Sequence, residues 1–225
     1  MEDLVKGIFI SEKKNRFLCE VQVEGINIEC YISSSCKLSN FIDTSGKEVL
    51  LMPVKKKKAR TQYFLYAIKL HKQFVMVDLK RVNGIVEEQL PKRFFSFLGK
   101  RNNISREKLI GRYKADLFIE DTNTIIEVKS VLSVDKISTF PGVNSDRAVM
   151  QLRELKRLLS GGYKVCYIFI SLNPETKKIL INNAYQEYYQ RFQECIEEGM
   201  IVRGYCIQVN GLTQLIKKRV EISTV

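Results

Sequence analysis

The chain has 225 residues, 45% hydrophobic and 28% charged, which excludes a disordered polypeptide and leaves room for one sizeable core or two modest ones. Lys and Arg outnumber Asp and Glu by 37 to 25, and the resulting net charge of +12 points to an anionic partner. Cysteines at 19, 30, 36, 166, 195 and 206 form no CxxC pair, and the single histidine, His71, has no cysteine at zinc-finger spacing, so structural zinc is not expected.

The opening MEDLVKG lacks the basic-then-apolar layout of a signal peptide, and no run approaches about 18 apolar residues. With cysteines set inside apolar runs such as KVCYIFI, the expectation is a soluble, cytoplasmic protein in a reducing compartment, with no membrane partner. Phe17, Cys19, Val21 and Val23 then alternate with polar residues, Glu24-Gly25 offers a turn, and Ile26, Ile28 and Cys30 resume the alternation. VLLMPV, YFLYAIKL and FVMVDL bring the total to about five short strands in some eighty residues, which predicts an OB-like β-barrel over residues 1–82.

Between two of those strands run Lys55, Lys56, Lys57 and Lys58, with Arg60 just after. A solvated hairpin tip is the plain reading; the functional one is a cluster of ammonium and guanidinium groups that displaces counterions from a phosphate backbone without reading bases. Tyr63 and Tyr66 nearby are either stacking platforms for bases or core aromatics.

A second domain is expected over 83–225. GIVEEQLPKRFFSFLG places Ile85, Val86, Leu90, Phe94, Phe97 and Leu98 at helical spacing up to Gly99, interrupted by Pro91, and a strand is predicted from Ser105 to Tyr113. GRYKADLFIEDTNTIIEVKS then reads as a β-hairpin turning at Asp121–Thr124. A two-residue loop places Asp116 opposite Glu127, whereas a four-residue loop that pairs Glu120 with Ile125 places it opposite Lys129; both gather Asp116, Glu127 and Lys129. Ala115, Leu117, Ile119, Ile126 and Val128 form the other face, which requires a core. Two carboxylates beside a lysine can hold a divalent cation and orient a water; the alternative is a solvated strand face with Glu and Lys pairing across it.

Farther on, Asn144 or Ser145 caps a helix with an Ala148, Leu152, Leu155, Leu159 stripe, and Arg147 and Gln151 lie on its other face. YKVCYIFIS reads as a strand buried on both faces, residues 183–198 as a tyrosine-rich helix ending at Gly199, and IVRGYCIQV as one more strand. The expected fold is α/β (α+β) overall, with the barrel followed by a mixed sheet flanked by helices.

That order, with a carboxylate entering one strand and Glu-x-Lys on the next, resembles the PD-(D/E)xK nuclease superfamily, and within it the sugar fermentation stimulation (SfsA-like) proteins. The resemblance rests on Arg16-Phe17-Leu18 with Val21, on Ile125-Ile126-Glu127-Val128-Lys129-Ser130-Val131, on Phe140-Pro141 with Asp146-Arg147 and Leu152-Arg153-Glu154-Leu155, and on a basic tail at Lys217-Lys218-Arg219. It implies Asp116 and Glu127 as ligands of Mg or Mn, Lys129 as the catalytic lysine, Glu88 as a further candidate ligand, and Arg147 and Gln151 in support. It also implies an N-terminal OB-like domain that binds DNA, in a family linked to expression of sugar-catabolic genes. The chain departs from the family's Cys-Pro-Asn-Thr-Gly-x-Met loop at Tyr31–Leu38, has Gln151 where the family has histidine, and has Gly142 where it has aspartate. The leading expectation is therefore a divalent-metal nuclease that grips double-stranded DNA with little sequence preference. The alternatives are a DNA-binding regulator of sugar catabolism on a catalytically silent nuclease scaffold, and a basic structural protein.

Overall fold

The computed structural model describes residues 4–15, 17–33, 37–55 and 59–224. Strands β1 (Val5–Glu12), β2 (Leu18–Val23), β3 (Ile26–Tyr31), β4 (Glu48–Pro53), β5 (Tyr63–Leu70) and β6 (Gln73–Met76) lie in the order β3-β2-β1-β4-β5-β6. A parallel pairing of Cys30 with Tyr63 and Tyr31 with Phe64 joins β3 to β5. That contact closes five strands into the expected OB-like barrel, filled by Phe9, Val21, Ile32, Val49, Leu51, Leu65 and Ile68.

Helix α1 (Val82–Gln89) follows, and the helical pattern does not run on to Gly99 as one element. Pro91 ends it, because proline has no N–H to donate, and Arg93–Leu98 form a separate 3-10 helix. The strand predicted from Ser105 to Tyr113 is also divided. It comprises β7 (Ile104–Arg106) and a small excursion, β8 (Leu109–Ile110) and β9 (Tyr113–Lys114), before β10 (Leu117–Ile119) and β11 (Thr124–Val131).

The remaining elements are β12 (Ile137–Phe140), α2 (Asp146–Ser160), β13 (Lys164–Ser171), β14 (Lys178–Ile181), α3 (Gln186–Glu197), β15 (Ile201–Asn210) and β16 (Thr213–Thr224). Eight strands form one mixed sheet in the order β12-β14-β16-β15-β13-β11-β10-β7. The basic tail expected at Lys217–Arg219 is part of β16, inside the sheet between β14 and β15. Its alternation of buried Ile216 and Val220 with more exposed lysines is too sparse in apolar residues to announce a strand.

β13 is buried on both faces, as its apolar run predicts. Ser145 caps α2, its Oγ accepting the Ala148 N–H at 3.3 Å. The buried stripe of α2 is Val149, Leu152, Leu155 and Leu158, so the helix is rotated slightly from the expected Ala148 and Leu159 edge.

The sheet separates two cores. Tyr167 and Phe169 of β13 pack with Tyr188 and Phe192 of α3 and with Leu152 and Leu155 of α2. On the other side, Leu117, Ile119, Ile126, Val128, Cys166 and Ile168 meet Val86 of α1 and Phe95, together with Leu50, Tyr66, Val75 and Met76 of the barrel. Barrel and sheet therefore share a core. Tyr66 is fully buried in it and is not a stacking platform, and Tyr63 packs against the barrel interior.

Candidate active site

The β10–β11 register pairs Leu117 with Ile126 and Ile119 with Thr124. Continued by one residue it sets Asp116 opposite Glu127, as a two-residue loop predicts. The actual connection is a 3-10 turn, Glu120–Thr122, completed by Asn123 in the left-handed region at φ 49°. Asparagine tolerates that conformation.

At Asp116 the chain leaves the ladder, because the Ala115 N–H bonds back to the carbonyl of Lys108 in the excursion rather than across to β11. The Asp116 carboxylate takes over: its Oδ2 accepts the Val128 N–H at 2.8 Å, and its Oδ1 accepts Asn83 Nδ2 of α1 at 3.0 Å. The bend also moves Ala115 to the α2/α3 side of the sheet, away from Leu117 and Ile119 with which alternation had grouped it.

Glu127 is only 2% exposed. Its Oε1 accepts Lys129 Nζ at 2.6 Å, and its Oε2 accepts the Tyr113 hydroxyl. Lys129 also donates to Gln151 Oε1 of α2 at 2.8 Å, and its ammonium lies 5.6 Å from the centroid of the Tyr167 ring, with 16% of the side chain exposed. The group is thus enclosed between β11 and α2, which excludes the solvated strand face. Burying an ion pair costs free energy unless its remaining valences are filled, and here Tyr113 and Gln151 fill them.

Burial raises the Asp116 carboxyl above its ordinary range, and the Glu127 charge raises it further, against the opposing Val128 N–H, Lys129 and Asn83. The Tyr113 phenol is pushed far up by burial and by the same Glu127 charge, so it stays a hydrogen-bond donor. Two carboxylates faced by one ammonium leave a net negative charge in a half-buried position.

That donor set fits a hard divalent cation. Each Asp116 oxygen accepts a single protein hydrogen bond and retains a second lone pair, and a cation would offset the excess charge that raises the Asp116 carboxyl. Among the described residues no third His, Cys, Asp or Glu completes a cluster. Glu88 in particular is exposed on α1, whereas its neighbour Glu87 pairs with Arg106. The residue that α1 gives to Asp116 is an amide, Asn83. Helical geometry places residues 83 and 87 on one face and turns 88 about 100° away, which is why the expected acid misses.

A groove of about 330 Å³ opens at Asp116, lined by Tyr113, Arg112, Arg147 and Gln151 among others. Gln151 therefore reaches Lys129, and Arg147 stands exposed at the mouth. Lys55 is exposed on the barrel, and Arg60 is exposed with its Nε 3.0 Å from Glu29; Lys56, Lys57 and Lys58 lie outside the described residues. Sequence reasoning did not find Asn83 or Tyr113, because a lone amide in a helix start and a tyrosine in a short strand carry no spacing signal.

Comparison with known proteins agrees with this architecture. Residues 80–212 match the model of the sugar fermentation stimulation protein RE domain, and residues 12–77 match that of the SfsA N-terminal OB domain. A sugar fermentation stimulation protein homolog of Caldanaerobacter subterraneus subsp. tengcongensis is 26% identical over 223 residues, covering 97% of this chain and 96% of the relative. The homolog of Saccharolobus solfataricus is 25% identical over 196 residues, covering 86% and 75%. The structure of Pyrococcus furiosus SfsA in complex with Ca2+ superimposes with a TM-score of 0.84 at 20% identity, covering 99% of this chain and 97% of that one. No helix among the described residues is long and apolar enough to cross a membrane. With a family model matching more than half its length inside a barrel-plus-sheet fold shared with a solved SfsA, the chain belongs to the sugar fermentation stimulation protein family.

Proposed function

We propose that this protein is a DNA-binding, divalent-metal-dependent phosphodiesterase of the PD-(D/E)xK type. The observation that carries the reading is the enclosure of Glu127, Lys129 and Asp116 at the end of a groove, since buried unlike charges beside an extra carboxylate are costly to keep without use. Asp116 and Glu127 would hold the ion, Mg or Mn, and the complex of P. furiosus SfsA with Ca2+ supports a divalent site in the family. When bound, the ion supplies a Lewis acid and activates a water.

The rest is done by the chain's own side chains. Lys129, fixed by Glu127 and Gln151, presents an ammonium that aligns the attacking water and offsets charge developing on the phosphate. Tyr113 and Asn83 hold the two carboxylates in orientation. Arg112 and Arg147 line the groove where the phosphate backbone enters, and the basic run of the barrel adds affinity that reads no sequence. We place the protein in the cytoplasm, because five described cysteines are free and buried.

A second reading, a DNA-binding regulator on a silent scaffold, is favoured by one feature: both Glu127 oxygens already accept protein donors. Calorimetry with Mn2+ followed by plasmid cleavage separates the two. Heat of binding together with cleavage supports the enzyme; DNA binding without metal heat or cleavage supports the regulator.

A further inference from the structure

A second concavity, about 510 Å³, opens on the barrel, away from the carboxylates. Three aromatic rings, Phe17, Tyr31 and Phe64, are among its lining residues. Phe17 and Tyr31 lie with ring planes 10° apart and centroids at 6.3 Å, and Phe64 closes the side. Phe17 is 38% exposed, one of several large apolar side chains at the barrel surface with Ile8, Ile10 and Ile26, and the one among them that lines this cleft. Above Tyr31, the Lys80 ammonium sits 4.6 Å from the ring centroid and donates to the phenol oxygen at 2.7 Å. Arg60 stands at the rim. The floor carries Asp78, 5% exposed, whose Oδ1 accepts Ser33 Oγ at 2.7 Å and whose remaining lone pairs can accept further donors.

Flat apolar rings, cations at the rim and one acceptor at the bottom match a flat aromatic ligand that bears N–H groups and hangs from an anionic backbone. The cleft is also linked to the carboxylate site by a short stretch of chain. Asp78 and Lys80 line the cleft, and Asn83, one helical turn beyond Lys80, holds Asp116. Lys80 lies in a 3-10 turn, Leu79–Arg81, that runs directly into α1, so at about 1.5–2 Å of rise per residue Lys80 and Asn83 are on the order of 5 Å apart along the chain.

Resting on the phosphodiesterase reading, we propose that the barrel cleft seats an unpaired nucleobase, so that the DNA acted on carries unpaired nucleotides next to the strand entering the Asp116 groove. Duplex phosphates are gripped by charge alone. The unpaired base adds stacking on Phe17 and Tyr31, and it is this contact that selects single-stranded or flipped-out segments.

The test is fluorescence anisotropy at one fixed salt concentration with three labelled probes: a single strand of 12 nucleotides, the same strand with every base removed, and a blunt duplex. Phe17→Ala should weaken binding of the single strand about tenfold to a hundredfold, and should change the abasic strand and the duplex by less than about twofold. Phe17→Leu, which keeps apolar bulk but lacks a π face, should lose most of the same factor, so a folding defect does not mimic the result. Equal losses on all three probes, or no loss on the single strand, would overturn the base site while leaving the DNA-binding reading intact. Failure of the wild type to bind any probe would overturn both, and the two failures are distinguishable.

Discussion

Asp116→Asn is the most informative single change, because the amide preserves shape while removing the charge that makes the site a site. In the metal-free protein the Asp116 carboxyl is held above its ordinary range by burial first and by Glu127 second. A group with a raised folded value contributes stability that is fully present below its unfolded value and lost as pH rises through the folded one. At neutral pH the charged form is therefore a burden, and the variant should melt above the wild type without metal, the difference shrinking as the solution is acidified. Metal reverses the order. At a Mn2+ concentration 100 times the dissociation constant, binding stabilises by about 2.7 kcal/mol, and for a chain of this size each kcal/mol moves the melting temperature by about 2–4 °C, so the wild type should rise by roughly 5–11 °C. Replacing one of two anionic ligands by an amide, with affinity about a hundredfold lower, leaves roughly 0.4 kcal/mol and a rise under about 2 °C. Differential scanning fluorimetry with and without Mn2+, at neutral and acidic pH, reads all of this. An equal Mn2+ shift in both proteins would place the ion away from Asp116, and a metal-free variant that melts lower at neutral pH would refute the desolvation argument.

Lys129→Ala strips Glu127 Oε1 and Gln151 Oε1 of a buried donor, and should destabilise the metal-free protein by about 3–5 kcal/mol in chemical denaturation. It removes no oxygen ligand, so calorimetry should still detect Mn2+, while plasmid cleavage falls by about 10²-fold or more. Replacing Lys55, Lys56, Lys57 and Lys58 together with alanine should weaken DNA binding alike on many sequences and flatten its salt dependence by roughly 3 to 4 units, at about 0.9 per lost phosphate contact; an unchanged slope makes the run a solvated turn. Because barrel and sheet share one core, thermal unfolding should be a single transition by both far-UV circular dichroism and tyrosine fluorescence, and two separated transitions would contradict that core.

The elements legible in the sequence are those with a strong period or a hard stop. The barrel strands around Cys19 and Ile28 alternate cleanly, Ser145 and Gly161-Gly162 bracket α2, and the unbroken apolar run of β13 reports burial on both faces. β12, β14 and β16 were not separately legible: the first two are four-residue strands, and β16 carries charges on the face that β14 and β15 leave open to solvent. The site was legible in its charges and not in its supports. Asp116, Glu127 and Lys129 come together under either hairpin register, because a one-pair slip still leaves them neighbours on a diagonal. Asn83 and Tyr113 come from elements folded against the hairpin, and contacts across 33 and 14 residues have no local signature.

The shared core gives these pieces a mechanical relation. Leu50 and Met52 of β4, Tyr66 and Ala67 of β5 and Val75 and Met76 of β6 pack in the same cluster as Ile126 and Val128, the residues that flank Glu127 on β11. The Tyr66 hydroxyl adds a polar tie, donating to the Gly211 carbonyl between β15 and β16 at 3.3 Å. A packed interior is close to crystalline in density and does not deform continuously, so the barrel cannot swing relative to the hairpin without opening that cluster to water. Domains joined by a flexible linker would present the barrel surface and the carboxylates to DNA at variable spacing; here the spacing is set by the fold. On the proposed function, phosphates held on the barrel would arrive at Asp116 in a fixed register, which would supply the orientation that a site with only two carboxylates and one lysine does not supply by itself.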